Sequence, residues 1–117
     1  MTMQDEVLLR VTYRVAAHHC RRFERILTEE VIPLARRLGI ECRGVWRTFV
    51  GPVGEYLELW AFPDLATFEQ RWKNLLQHPD VQRIFEETGP MVEDEEFALL
   101  EPLEIGSASE APERLRV

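Results

Sequence analysis

One carboxylate lies between aromatic residues on a strand-like stretch, Glu58 in Glu55-Tyr56-Leu57-Glu58-Leu59-Trp60-Ala61-Phe62. In an extended chain alternate residues share a face, so Tyr56, Glu58 and Trp60 point the same way. A half-buried carboxylate with arginines on neighbouring strands (Arg10, Arg14 and Arg47 are the candidates) has a tuned proton affinity. Such a group suits proton abstraction from a ligand lying against Tyr56 and Trp60. The competing reading is an ion pair that only fills a structural interior. Other chemistries have less support. His18 and His19 are adjacent rather than three or four apart, which points them in different directions and leaves no shared helix face for a metal. Cys20 and Cys42 lack metal-ligand spacing and read as two reduced thiols. No nucleophile elbow or phosphate-cradling glycine loop is present. The expectation is therefore no metal and no obligatory cofactor.

The composition narrows the partners. The 117 residues are 45% apolar and 30% charged with a net charge of −7, the balance of one globular domain. That acidity disfavours nucleic acid and anionic membranes. The acidic start Met1-Thr2-Met3-Gln4-Asp5-Glu6-Val7 is unlike a signal peptide, and no apolar run reaches the ~20 residues of a membrane helix, so a cytoplasmic protein is expected. Charge is uneven: residues 1–50 carry nine Lys and Arg against six Asp and Glu, residues 51–117 five against fifteen.

The elements that must position Glu58 follow from periodicity. Val7, Leu9, Val11, Tyr13 and Val15 alternate with Leu8, Arg10, Thr12 and Arg14, a first strand with one apolar and one mixed face. Phe23, Ile26, Leu27, Val31, Leu34 and Leu38 mark a helix over 18–38, closed by Gly39 and kinked near 29–32 by Pro33. A second strand spans 40–50, and Gly51-Pro52-Val53-Gly54 turns it into the strand 55–62. A four-residue loop places Arg47 opposite Glu58 and Val45 opposite Trp60; a one-residue bulge instead pairs Trp46 with Trp60. The opposite-charge pair favours the first register.

Pro63 stops that strand and Asp64 caps a helix carrying Leu65, Phe68, Trp72, Leu75 and Leu76. His78-Pro79 breaks it, and a further helix carries Val81, Ile84 and Phe85 to Gly89-Pro90. Residues 93–103 form a last, edge strand, and residues 106–117 read as a flexible tail beyond a domain of residues 1–105.

The order βαββαβ predicts an α+β, ferredoxin-like fold: a four-stranded antiparallel sheet with the helices on one face. Leu57 and Leu59 are expected to face the helices, leaving Arg10, Thr12, Arg14, Arg47, Tyr56, Glu58 and Trp60 on the bare face. So much aromatic area predicts a homodimer packed sheet to sheet, its acidic edge (Glu93, Asp94, Glu95, Glu96) beside the partner's basic one (Arg43, Arg47).

Gly44-Val45-Trp46, Gly51-Pro52, Glu58-Leu59-Trp60, Phe62-Pro63-Asp64-Leu65, Leu76-Gln77-His78-Pro79 and Leu99-Leu100-Glu101-Pro102-Leu103 occur in an order that resembles the NIPSNAP family of the dimeric α+β barrel superfamily. The resemblance covers about residues 7–103 and implies that fold. It also implies a superfamily of cofactor-free monooxygenases, haem-degrading monooxygenases, isomerases and dehydratases that bind ligands between helices and sheet or in the barrel lumen. His78 would be the axial ligand if the chain bound haem as haem-degrading relatives do. Two functions follow from the residues: a cofactor-free enzyme or binder of a small apolar molecule, with Glu58 at its polar end, or a non-catalytic homodimeric interaction module with a structural polar lumen.

Overall fold

The computed structural model describes residues 6–105. Four strands, β1 (Val7–Val15), β2 (Glu41–Arg47), β3 (Glu55–Phe62) and β4 (Val92–Leu100), form one antiparallel sheet in the order β2-β3-β1-β4. The two central strands are β1 and β3, and β4 is an edge as expected from Pro102. This is the ferredoxin-like α+β arrangement. The segment 106–117 lies outside the described residues.

The first crossover is helical from Cys20 to Arg37: α1 (Cys20–Ile26), a π-helical turn (Leu27–Val31) and α2 (Ile32–Arg37). Pro33 has no N–H to offer the carbonyl of Glu29, and the wide turn just before it absorbs the mismatch. Gly39 ends the run with φ +83°, a left-handed conformation that costs glycine little. After β3, Asp64 Oδ1 accepts from the Thr67 amide at 2.7 Å and starts α3 (Leu65–Gln77). His78 ends α3 in an extended conformation, and α4 (Pro79–Thr88) begins with proline at its first position.

The helices cover the face of the sheet that carries Leu9, Val11, Tyr13 and Val15, all 5% exposed or less. Across β1 and β3, Leu9 pairs with Trp60, Val11 with Glu58 and Tyr13 with Tyr56. Tyr56, Glu58, Trp60 and Phe62 are therefore buried under the helices, and Leu57, Leu59 and Ala61 take the other face. This reverses the face expected from the sequence. It also separates Glu58 from two of its candidate arginines: Arg10 pairs with Leu59 and Arg14 with Glu55, on the open side. The reason is that β1 alternates cleanly and β3 does not, so the apolar face of β1 decides which side of β3 is covered.

The hairpin register also differs from both expectations. Val45 sits opposite Glu58, Trp46 opposite Leu57 and Arg47 opposite Tyr56, with a bulge between Cys42 and Gly44. The Thr48 amide donates to the Glu55 carbonyl at 3.0 Å, so the loop is residues 49–54 rather than 51–54. Gly54 fixes its end: it has φ +90°, its carbonyl accepts from the Val15 amide at 2.8 Å, and a Cβ there would stand 2.2 Å from the Val15 oxygen. The two arginines proposed to meet acids across a dimer, and two of the four acids, Glu93 and Asp94, have partners within the chain. Arg43 bonds Glu41 and Glu6, Arg47 bonds Glu24, and Arg14 bonds Glu93 and Asp94. His18 and His19 do not diverge; their rings lie 4.1 Å apart.

Candidate functional site

Between the helices and the covered face of the sheet lies a cavity of about 340 Å³. Its floor is sheet: Val11 and Tyr13 from β1, Glu58 and Trp60 from β3. Its roof is the apolar stripes of the crossovers, with Leu34, Val81, Ile84 and Thr88 buried. Leu76, Phe85 and Phe97 line it while remaining 43%, 46% and 52% exposed, so they form its mouth. Aromatic rings line it on several sides: Trp72 of α3 packs edge-on against Phe97 of β4 at 5.9 Å, and Trp60 lies on the floor beside Tyr13.

Glu58 is the polar centre of this apolar space. It is 8% exposed, and each oxygen has a donor: the Tyr13 hydroxyl bonds Oε2 and the Trp60 indole N–H bonds Oε1 at 2.9 Å. Burial pushes its carboxyl above the ordinary carboxylate range, the two donors pull it back in part, and the charge of Glu95 pushes it up again. The Tyr13 phenol is raised too, by burial first and then by Glu58, and so keeps its proton and remains a donor. A carboxyl held at raised affinity, fixed by two hydrogen bonds and facing apolar space is equipped to take a proton from a bound molecule and return it.

Behind the floor the polar groups continue. Tyr13 stacks on Tyr56 at 5.5 Å and meets Phe23 edge-on at 5.4 Å. The Tyr56 hydroxyl donates to Glu24 Oε2 at 2.7 Å, and Glu24 Oε1 accepts from Arg47 at 2.8 Å. Tyr56 and Arg47 thus share the helix side with Glu58 but brace the Tyr13 wall from outside the cavity.

The NIPSNAP family model matches residues 8–106. The chain belongs to the NIPSNAP family. Among solved structures it is similar to an uncharacterized NIPSNAP-like domain protein from Burkholderia xenovorans, at 21% identity over 89% of this chain and 90% of that one, with a TM-score of 0.78. A NIPSNAP family protein from Agrobacterium tumefaciens strain C58 superposes with a TM-score of 0.79, at 17% identity, over 88% and 98% of the two chains. The fold extends to SnoaB, a cofactor-independent oxygenase from Streptomyces nogalater, in a variant structure, with a TM-score of 0.66, 17% identity and coverage of 86% and 96%. No curated protein matches the chain.

In this NIPSNAP chain the cavity gathers Glu58 and Trp60 from the residues singled out in the sequence. Arg10 and Arg14 stand across the sheet from it. His78 is not among its lining residues; its Nδ1 accepts from the Asp80 amide at 3.1 Å and caps α4. Sequence reasoning missed two groups. Alternation alone marks Tyr13 as an apolar member of its strand, on the same face as Val11, and gives no sign of its bond to Glu58. The run Glu93 to Glu96 marks Glu95 only as one of four acids opening an edge strand. A bulge turns it inward: β1 pairs Thr12 with Glu96 but Arg14 with Glu93, so Asp94 and Glu95 both stand opposite Tyr13. Asp94 takes φ +54° and bonds Arg14 on the open side at 2.8 Å, while Glu95 lines the cavity. Among the described residues no group of three His, Cys, Asp or Glu could hold a metal, and no helix is long and apolar enough to cross a membrane.

Proposed function

We propose that this NIPSNAP protein binds a small, largely apolar or aromatic molecule in the cavity beneath its helices and that Glu58 is the proton-transfer group of the site. The observation that carries the reading is a buried carboxyl with two fixed donors, facing about 340 Å³ of apolar space, at the lower end of the size used by small-molecule ligands. Glu58 takes a proton from a weakly acidic C–H or O–H of the ligand, and the Tyr13 and Trp60 donors hold its oxygens in place while it does so. Returning the proton to a different atom is isomerisation. With dioxygen as co-substrate, the deprotonated ligand is the electron donor of a cofactor-free oxygenation, the activity class of the structural relative SnoaB, a cofactor-independent oxygenase. Trp60 and Trp72 supply aromatic faces for the ligand.

The test is native mass spectrometry on protein purified gently from its producing cells, beside the Gly89→Phe variant. Gly89 lines the cavity at its exposed end, and a Cβ there meets nothing within 4 Å, so the larger side chain is taken up without a clash; Ala35→Phe, at a lining position only 2% exposed, is the second variant and places its ring in the buried part of the space. Extra mass on the wild type that is lost from either folded variant supports the reading. Equal occupancy of all three would place the ligand elsewhere.

The open face of the sheet favours a second, compatible role as a self-association surface. Leu8, Leu57, Leu59 and Leu100 lie half-buried there, Trp46 is 52% exposed, and Arg10 Nε is buried with no partner among the described residues. A second copy packed face to face covers the leucines and brings acceptors, the partner's Glu96 among them, to Arg10. Leu59→Arg then yields a folded monomer by analytical ultracentrifugation; an unchanged sedimentation coefficient counts against the dimer, as does a monomeric wild type.

A further inference from the structure

Resting on the cavity reading above, we infer that the ligand is an apolar molecule with a hydrogen-bond donor at one end and a protonated amine at the other, and that Glu95 at the mouth is the group that recognises the amine. The charge of the lining carries the inference. Of the residues around the cavity only Glu58 and Glu95 are ionisable to a charge near neutrality, and no Lys, Arg or His lines it. An apolar carboxylic acid or phosphate would enter a low-dielectric space with two acids and no cation to meet it. An ammonium meets the opposite: a carboxylate at the entrance, with the aromatic rings of Trp72 and Phe97 in the same lining.

The two acids have separate tasks because they sit at separate depths. Glu58 is at the floor, with its oxygens already accepting from Tyr13 and Trp60, and each oxygen keeps acceptor capacity for a donor from the ligand. Glu95 is exposed at the rim and has no ion pair among the described residues, unlike its neighbours Glu93 and Asp94, both held by Arg14. The bulge at Asp94 and Glu95 produces this division, sending one carboxylate to Arg14 across the sheet and turning the next into the cavity. Partial desolvation at the rim holds Glu95 above the ordinary carboxylate range, and its charge in turn raises Glu58. Glu58 is otherwise faced by Tyr13 of β1, and at longer range by Cys42 of β2; the helices contribute no titratable lining residue.

Three indoles that differ only in the end group test this: tryptamine, tryptophol and indole-3-acetate, each with a ring N–H for Glu58. Their affinities are measured by isothermal titration calorimetry at pH 7.5 on the full chain and on Glu95→Gln, whose exposed position keeps the fold intact by circular dichroism. Tryptamine is expected to bind about tenfold or more tightly than indole-3-acetate, with tryptophol between, the size of effect that one favourable against one unfavourable charge contact gives near a protein surface. Glu95→Gln should bring amine and acid to within about threefold of each other and leave tryptophol unchanged. Tryptophol and tryptamine binding equally overturns the amine assignment and leaves the cavity reading standing. A preference for the amine that survives Glu95→Gln overturns the role of Glu95. Binding of none of the three overturns both this inference and the reading it rests on.

Discussion

Replacing Tyr13 by Phe removes one oxygen atom from the site and leaves the ring, its stack on Tyr56 and its edge contact with Phe23 in place. What is lost is the hydroxyl donated to Glu58, a hydrogen bond to a group that is ionised at high pH and neutral at low pH. A bond to a buried charge contributes about 1.5–3 kcal/mol and one between neutral groups about 0.5–1.5 kcal/mol. The cost of Tyr13→Phe should therefore be larger at pH 8 than at pH 5, by about 1 kcal/mol. The sign is set by Glu58. Its affinity for protons in the folded chain is raised, so the folded state holds a proton that the unfolded one has released; stability declines as pH rises above the ordinary value of 4.5. The Tyr13 hydroxyl opposes that decline by favouring the carboxylate, and without it the decline steepens. Urea unfolding of both proteins at the two pH values measures this, with the slope against urea required to stay constant. In a Glu58→Gln background the same Tyr13→Phe change should become independent of pH, completing a double-mutant cycle. A Tyr13→Phe cost that is equal at pH 5 and pH 8 would refute the assignment of this pair.

Other outcomes follow from the same geometry. Glu58→Gln alone should flatten the fall in stability from pH 4.5 towards neutrality, seen as a melting temperature less dependent on pH than that of the wild type. Gly54→Ala should destabilise by at least about 1–3 kcal/mol, since φ is +90° and the new methyl would collide with the Val15 carbonyl; thermal unfolding reads the loss. Ile84→Ala, which removes a side chain only 2% exposed that already borders empty space, should fall near the lower end of about 2–5 kcal/mol by the same measurement. Trp60→Phe should raise the proton affinity of Glu58 further by removing the indole donor, detectable as a shift in its carboxyl titration by NMR.

Much of the scaffold was legible because local chemistry decides it. Strand 55–62, the Asp64 cap, the break at His78-Pro79 and the distortion ahead of Pro33 each depend on residues within a few positions of one another. The site was harder because it depends on pairing across the sheet. Both faces of β3 are bulky, so alternation within it cannot say which is covered. The two-residue difference in the hairpin loop arises from Gly54, whose contact with Val15 lies 39 positions away in sequence and outside the hairpin. Glu95 is turned inward by a bulge in the pairing with β1, where Arg14, 79 positions from Glu93 in sequence, holds Glu93 and Asp94 on the opposite side.

The reversal of faces bears directly on function. Turning Glu58 outward among arginines is the choice that avoids burying a charge, and it is the natural inference from a strand with apolar residues on both sides. The chain instead buries the carboxyl and supplies a phenol from β1 and an indole two residues along β3 to satisfy it, while Arg14 and Arg47 go to Glu93, Asp94 and Glu24. A side chain used only for stability gains nothing from that placement, since a leucine at 58 would fill the same space without desolvating a carboxylate. That comparison is itself a measurement: Glu58→Leu, combined with Tyr13→Phe and Trp60→Phe so that neither the phenol nor the indole is left as an unsatisfied donor, should leave the fold as stable as the Tyr13→Phe/Trp60→Phe pair or more so at pH 8. A triple variant markedly less stable than that pair would show instead that the carboxyl is there to hold the sheet together.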